Sequence, residues 1–315
     1  IEKVANFLNA PADELNFVTN ATLGLNIVIR SLELNAGDEI LTTSHEYGAL
    51  NKTWEYVCKK TGANIVRYHV DLPYTTDEAF TDVFFEHVTD KTKVIFFSHI
   101  TSPSALIFPA EMICQRAREM GIMTIIDGAH VPGQLPLDLT AIGADAYSGN
   151  FHKWLCSPKG SAFLHVRKEH HHMIVPNTIS HGWYEGADFF TQNEWQGTRD
   201  VAAYLTVPTA IEFLQENNWE QVRADCHELA VMTQSRLCDN FGLDPISENQ
   251  FSQMVTIPLP DCDLEEVKNR LYDEFNIEVP MTALDDKPHI RVSFQAYNTA
   301  QDAQALIDAL MTILG

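Results

Sequence analysis

Positive charge is scarce in this chain. Lys and Arg together number 21 against 43 Asp and Glu, a net charge of −22 over 315 residues. That balance repels nucleic acid and anionic membranes, so neither is an expected partner. Long apolar runs are also missing. None approaches the roughly 18 to 20 residues needed to span a bilayer, and the opening Ile1-Glu2-Lys3-Val4 has neither the basic nor the apolar region of a secretory signal. The expected location is cytoplasmic. The six cysteines, Cys58, Cys114, Cys156, Cys226, Cys238 and Cys262, form no Cys-x-x-Cys pair and no disulfide-scaffold spacing, which predicts reduced and mostly packed thiols. Cys156 follows Lys153 closely, but packing under a loop suits it better than a redox role. No metal site is expected either. The adjacent His170, His171 and His172 cannot converge on one ion as i, i+4 pairs can, so the run reads as a solvated helical turn. Internal repeats, low-complexity segments and flexible linkers are absent.

What is present is a core-forming composition with two alternating periods. A hydrophobic share of 45% can fill a large core and a smaller one. Residues 17–19 read as a strand, 23–34 as a helix and 39–42 as the next strand, entered through Asn35-Ala36-Gly37-Asp38. Strands at 64–70, 93–98 and 122–127 alternate with helices at 77–87 and 109–120, the pattern of a mostly parallel sheet covered on both faces. Shorter strands follow at 145–148 and 161–166, the second expected to be antiparallel. Two long helices, 203–217 and 219–241, then change the pattern; strand, helix, strand and helix at 254–257, 263–275, 289–294 and 300–314 close the chain. The expected fold is α/β. Residues 1–215 form a large domain with a seven-stranded type of sheet, and 216–315 a small α+β domain.

Chemistry concentrates at the ends of these strands. Asp127 ends the apolar run Ile122-Met123-Thr124-Ile125-Ile126, and Lys153 follows in Ser148-Gly149-Asn150-Phe151-His152-Lys153-Trp154. An amine near a carboxylate at the carboxyl edge of a buried sheet suits pyridoxal 5'-phosphate: the lysine condenses with the aldehyde, and the acid keeps the pyridine nitrogen protonated. Alone, such a lysine is usually a solvated charge and such an aspartate a cap. At Asn20-Ala21-Thr22 a strand gives way to a helix, whose amides and positive end, with the Thr22 hydroxyl, would face a phosphate. Plain capping by Thr22 is the competing account. Arg291, inside His289-Ile290-Arg291-Val292-Ser293-Phe294, needs an acidic partner if it faces inward; Asp285 or Asp286 could supply it at a strand edge.

The blocks Asn20-Ala21-Thr22, His45-Glu46-Tyr47-Gly48-Ala49, Asp127-Gly128-Ala129-His130, Asn150-Phe151-His152-Lys153-Trp154, Gly197-Thr198-Arg199 and Arg291-Val292-Ser293 occur in this order. Together they resemble the class V aminotransferase family of fold-type I pyridoxal-phosphate enzymes, and look closest to its isopenicillin N epimerase-like branch, over nearly the whole chain from about Val4 to Leu314. The resemblance implies that Asn150 and His152 complete the phosphate cup and that Tyr47 stacks on the cofactor ring. It also puts His130 beside the ring's phenolic oxygen and Ser102 where the family often has asparagine, although Thr101-Ser102-Pro103-Ser104 also suits a simple turn and Tyr47 simple surface packing. Thr198 matches a threonine that reaches the neighbouring subunit's phosphate, implying a homodimer with shared sites. Arg291 would take a substrate α-carboxylate. His45, Trp195 and Arg199 would line the pocket.

Two departures accompany it. Residues 1–9 read as the middle of an amphipathic helix without a preceding cap, whereas family members carry a further N-terminal segment that contributes to the small domain and the substrate pocket. The mobile cysteine of the desulfurases has no counterpart in Asn276-Ile277-Glu278-Val279-Pro280-Met281-Thr282-Ala283. With Lys153 as the base that removes the α-proton, return of a proton from the opposite face is epimerisation, loss of a β-substituent is elimination, and protonation on the cofactor is transamination. Epimerase-like chemistry on an amino acid or short peptide comes first, and carbon–sulfur β-lyase chemistry second. Desulfurase-like chemistry ranks lower, and a catalytically degenerate cofactor-binding homologue is the reading from another class.

Overall fold

Runs such as Val94-Ile95-Phe96-Phe97 and Thr124-Ile125-Ile126 are too short for globular helices and too uniformly apolar for half-solvated strands. They form the centre of a seven-stranded sheet in the order β1-β7-β6-β5-β4-β2-β3. Its members are β1 (Leu15–Val18), β2 (Glu39–Thr43), β3 (Asn64–Tyr68), β4 (Thr92–Ser98), β5 (Met123–Asp127), β6 (Ala146–Asn150) and β7 (Ala162–Val166). Neighbours pair in parallel except β7, which runs antiparallel to both β6 and β1. Every residue of β6 and β7 is buried, so both faces of the sheet are covered there.

A computed structural model describes residues 1–247 and 250–315 of the chain. The sheet belongs to a compact unit of Ile1–Val70, Asp77–Ile100 and Phe108–Asn217. Around it stand α1 (Glu2–Leu8), α2 (Ala21–Ser31), α3 (Gly48–Thr61), α4 (Asp77–Phe85), α5 (Ala110–Glu119), α6 (Leu139–Ile142), α7 (Phe189–Glu194) and α8 (Ala202–Glu216). Leu25 and Ile29 of α2, Trp54 of α3 and Phe96, Ile125 and Leu164 of the strands share one core. Gly24 lets α2 approach β6: a Cβ there would run into the side chain of Ser148. The second unit comprises Asp71–Thr76, Thr101–Ile107 and Asn218–Gly315. It holds α9 (Trp219–Phe241), β8 (Met254–Pro258), α10 (Leu264–Phe275), β9 (Met281–Leu284), β10 (Lys287–Ser293) and α11 (Ala300–Leu314). Its antiparallel sheet, ordered β8-β10-β9, shares a core of Leu237, Ile257, Leu271, Ile290, Leu306 and Leu310 with the helices.

Some elements depart from the sequence reading. Helix α2 begins at Ala21 rather than residue 23, because Asn20 caps it, accepting from the Leu23 amide at 2.8 Å. Helix α3 and strand β9 were not anticipated. The histidine run forms a 3₁₀ turn, Lys168–Met173, and of its three histidines His172 alone is exposed. His170 pairs with Asp145 at 2.9 Å, and His171 stacks on Phe189. Cys156 is exposed, with a left-handed φ of 59°, contrary to the expectation that it packs under the loop. Cys114, Cys226 and Cys238 are buried. No helix among the described residues is long and apolar enough to cross a membrane.

Candidate active site

Asp127 closes β5, Asn150 closes β6, Ser98 closes β4 and Thr43 closes β2, so one carboxyl edge carries all four. Register brings them together across long sequence distances: Ser98 pairs with Asp127, and Asp127 with Ser148. Asp127 is 4% exposed. Burial raises its affinity for a proton, while the Ala129 amide, which donates to its Oδ1 at 2.9 Å, and the protonated form of Lys153 act the other way. Behind it lies a second buried acid. Glu46 accepts from Thr43 Oγ1 and Ser98 Oγ, each at 2.6 Å, yet burial, reinforced by the charge of Asp127, still moves it from 4.5 to about 7.

The groups beneath Asp127 are neutral. The His99 amide donates to the Asp127 carbonyl at 2.9 Å, and its Nδ1 lies 3.0 Å from the Tyr147 hydroxyl. Burial holds His99 down to about 4 and pushes Tyr147 well above its ordinary range, so neither supplies a charge at neutral pH. Gly128 lies against the Tyr147 ring where a Cβ would not fit. A buried carboxylate so placed favours an incoming cationic N–H, the chemistry of a protonated pyridine nitrogen.

The loop after β6 supplies the amine. Lys153 Nζ stands 2.9 Å from His130 Nε2, and the Trp154 indole donates to His130 Nδ1 at 3.2 Å. One turn away, the phosphate candidates also meet: the Ala21 amide donates to Asn150 Oδ1 at 2.8 Å, tying the start of α2 to the end of β6. With the Ala21, Leu23 and Gly24 amides bonded to Asn150 and Asn20, the Thr22 amide and hydroxyl are the donors left at this helix start. His152 Nδ1 donates to the Ser161 carbonyl at 2.7 Å, which leaves Nε2 for an anion. Burial lowers the proton affinity of His152, aided by Lys153. The donor set thus combines an amine, a buried acid, an imidazole pair and a helix start, which fits an anionic pyridine aldehyde. Among the described residues no three His, Cys, Asp or Glu side chains are grouped to hold a metal.

Tyr47 sits at the start of α3 with its ring 46% exposed. Thr198, beside Gly197 at φ 96°, is exposed, and so is Trp195, whereas His45 is buried. Arg199 donates to the Tyr204 hydroxyl at 2.6 Å and lies over its ring. Ser102 and Arg291 belong to the second unit, where they meet each other. Arg291 Nη1 donates to the carbonyl and hydroxyl of Ser102, while its buried Nε has no hydrogen-bond partner among the described residues. The sequence reading gave no role to Glu46, His99 or Tyr147. Glu46 had one visible signal, an acid three residues after the buried strand β2.

A family model described as aminotransferase class-V matches residues 1–306. The chain is 32% identical to isopenicillin N epimerase of Amycolatopsis lactamdurans, covering 98% of this chain and 83% of that one. It is 29% identical to a putative L-cysteine desulfhydrase of Oryza sativa subsp. japonica, covering 98% and 72%. Among solved structures, a cysteine desulfurase from Escherichia coli superposes with a TM-score of 0.84 at 22% identity, covering 100% of this chain and 83% of that one.

Proposed function

The chain belongs to the class-V aminotransferase family, and on that premise we propose a pyridoxal-phosphate enzyme that acts at the α-carbon of an amino acid or short peptide by epimerase-like chemistry. The observation that carries this reading is Lys153 Nζ held 2.9 Å from His130 at the sheet edge that also bears the buried Asp127. When bound, the cofactor supplies an aldehyde for an amine and a ring that delocalises a carbanion.

The residues divide the remaining work. Asp127 provides the negative charge that keeps a ring nitrogen protonated. Thr22 at the start of α2, with Asn150 and His152, would take the phosphate, and the Ala21 amide holds Asn150 in place; His152, fixed through Nδ1, donates from Nε2 once protonated. Tyr47 offers an aromatic face to the ring and His130 a donor to its phenolic oxygen. Lys153 would take the substrate α-proton on its Nζ. Arg291 is assigned to a substrate carboxylate: its fork is steadied by Ser102 through Nη1, and the unsatisfied Nε calls for an acceptor. Thr198 is assigned to the phosphate of a second subunit. Trp183, Tyr184 and Trp195, all about half exposed, support a homodimer, since large aromatic side chains left in water favour burial against a partner. A cytoplasmic location completes the proposal.

Carbon–sulfur elimination is the second reading, supported by the desulfhydrase relative. The test incubates the cofactor-loaded protein with L-amino acids, cysteine conjugates and small peptides, scoring inversion, pyruvate and keto acid separately. Inversion without pyruvate supports the epimerase reading. Pyruvate release without inversion overturns it in favour of the lyase. Borohydride should fix the cofactor on Lys153; fixation on Lys159 would remove the basis of both.

A further inference from the structure

Trp154 is 8% exposed and turns its indole N–H toward His130. The two ring nitrogens of His130 therefore meet different neighbours: Nδ1 lies 3.2 Å from Trp154 Nε1, and Nε2 lies 2.9 Å from Lys153 Nζ. An indole N–H can donate and cannot accept, so Nδ1 must be the accepting nitrogen. A neutral imidazole carries one proton, and that proton is then on Nε2, aimed at the lysine. An ammonium has no lone pair to receive it. The opposite arrangement, an ammonium donating to Nε2, would place the ring proton on Nδ1 against the indole N–H. An imidazolium would meet both conflicts at once.

We propose that Trp154 is a positioning residue: by donating to Nδ1 it holds His130 in its Nε2–H tautomer, which in turn presents Lys153 as a free amine in the cofactor-free chain. Titratable groups on which the lysine acts are Asp127 at the end of β5 and, on the lysine's own loop, His152, which Lys159 also reaches. Asp127 attracts the charged form of Lys153; the Nε2–H opposes that pull. An amine without its extra proton has the lone pair that attack on an aldehyde requires, whereas an ammonium must first lose a proton to solvent. The meaning for catalysis rests on Lys153 being the aldehyde-binding amine, but the tautomer does not.

The test uses the full cofactor-free chain with ring-¹⁵N histidine, the His130 signals being assigned by their loss in His130→Gln. At pH 7.5 the wild type should show a protonated Nε2 and an unprotonated Nδ1, and Trp154→Phe, which keeps the ring bulk and removes the donor, should lose that preference. In parallel, acetic anhydride labelling read by mass spectrometry compares Lys153 with Lys159. Replacing Trp154 should lower the Lys153:Lys159 labelling ratio at pH 7.5 by about tenfold, the effect of a one-unit rise in the pH at which the amine is freed. Wild-type His130 found as the Nδ1–H tautomer or as imidazolium overturns the proposal, as does a variant with unchanged tautomer and labelling. If Trp154→Phe does not fold, the wild-type spectrum alone decides. Failure to bind pyridoxal phosphate, with Nε2 still protonated, would sink the proposed function and leave this assignment standing.

Discussion

Asp127 and Glu46 are acids that the fold has taken out of water without giving either, among the described residues, a fixed cation of its own at hydrogen-bond distance. Replacing Asp127 by Asn keeps the shape and removes the charge, so cofactor should still bind through its phosphate contacts. Exchange of the substrate α-proton, followed by deuterium incorporation, should fall by roughly 10³-fold, the scale of losing one electrostatic contact to developing charge. Exchange at the wild-type rate would make Asp127 a structural residue. For Glu46 the expected effect is on stability. Its folded value of about 7 exceeds the ordinary 4.5, so between those values the folded chain holds a proton that the unfolded chain has released. Stability therefore falls as pH rises from about 4.5 to 7, and the penalty persists above 7. Glu46→Gln should unfold at higher urea than wild type at pH 8 and show no such gain at pH 4.5. A variant less stable than wild type at pH 8 would show that the ionised carboxylate is the favoured form.

At the scale of elements, the placing of α2 decides whether its first amides and Thr22 can face an anion. Gly24→Ala would push the helix off β6 or displace Ser148, whose hydroxyl donates to the Phe163 carbonyl at 2.6 Å. A loss of about 1 to 3 kcal/mol in urea unfolding is expected from overpacking, together with weaker cofactor binding measured by titration. Unchanged values for both would mean that the contact between α2 and β6 is loose. The strand and the helix were legible in the sequence from Val18 and the apolar spacing of Leu25 and Ile29, whereas the cap, weighed at Thr22, stands at Asn20. Helix α3 was harder to read: its buried face is Leu50, Thr53, Trp54 and Val57, in which a threonine interrupts the apolar stripe. Strand β9 is four residues long and mostly half-exposed, at the edge of its sheet, so neither length nor alternation announced it. In the site, Lys153 and Asp127 stood out through their neighbours along the chain. Glu46, His99 and Tyr147 did not, because only the pairing of β4, β5 and β6 places Ser98, Asp127 and Ser148 side by side. The contact of Trp154 with His130 spans 24 residues and is set by a loop, whose path no periodicity describes.

For the whole molecule, the proposed homodimer makes a stoichiometric prediction. Subunits carrying Lys153→Ala and Thr198→Ala, given different tags and purified as the mixed pair, would place both defects in one site and leave the other intact. That pair should have about half the wild-type activity while each parent is impaired, provided each site draws on both subunits. Activity no better than the parents' mean would refute sharing. The antiparallel strand β7 has a consequence of another kind. Among the described residues it is the one partner of β1 in the sheet, with Leu15 opposite His165, a separation of 165 − 15 = 150 residues. On a ribosome adding about 5 to 20 residues per second, β1 must wait roughly 8 to 30 seconds before its partner exists. Through that interval Leu15, Phe17 and Val18 have no edge to join. Strand β1, made before the other six strands of its sheet, is thus among the last of them to be incorporated, and closure of this edge is a late, non-local step that β2, β4 and β5 need not await.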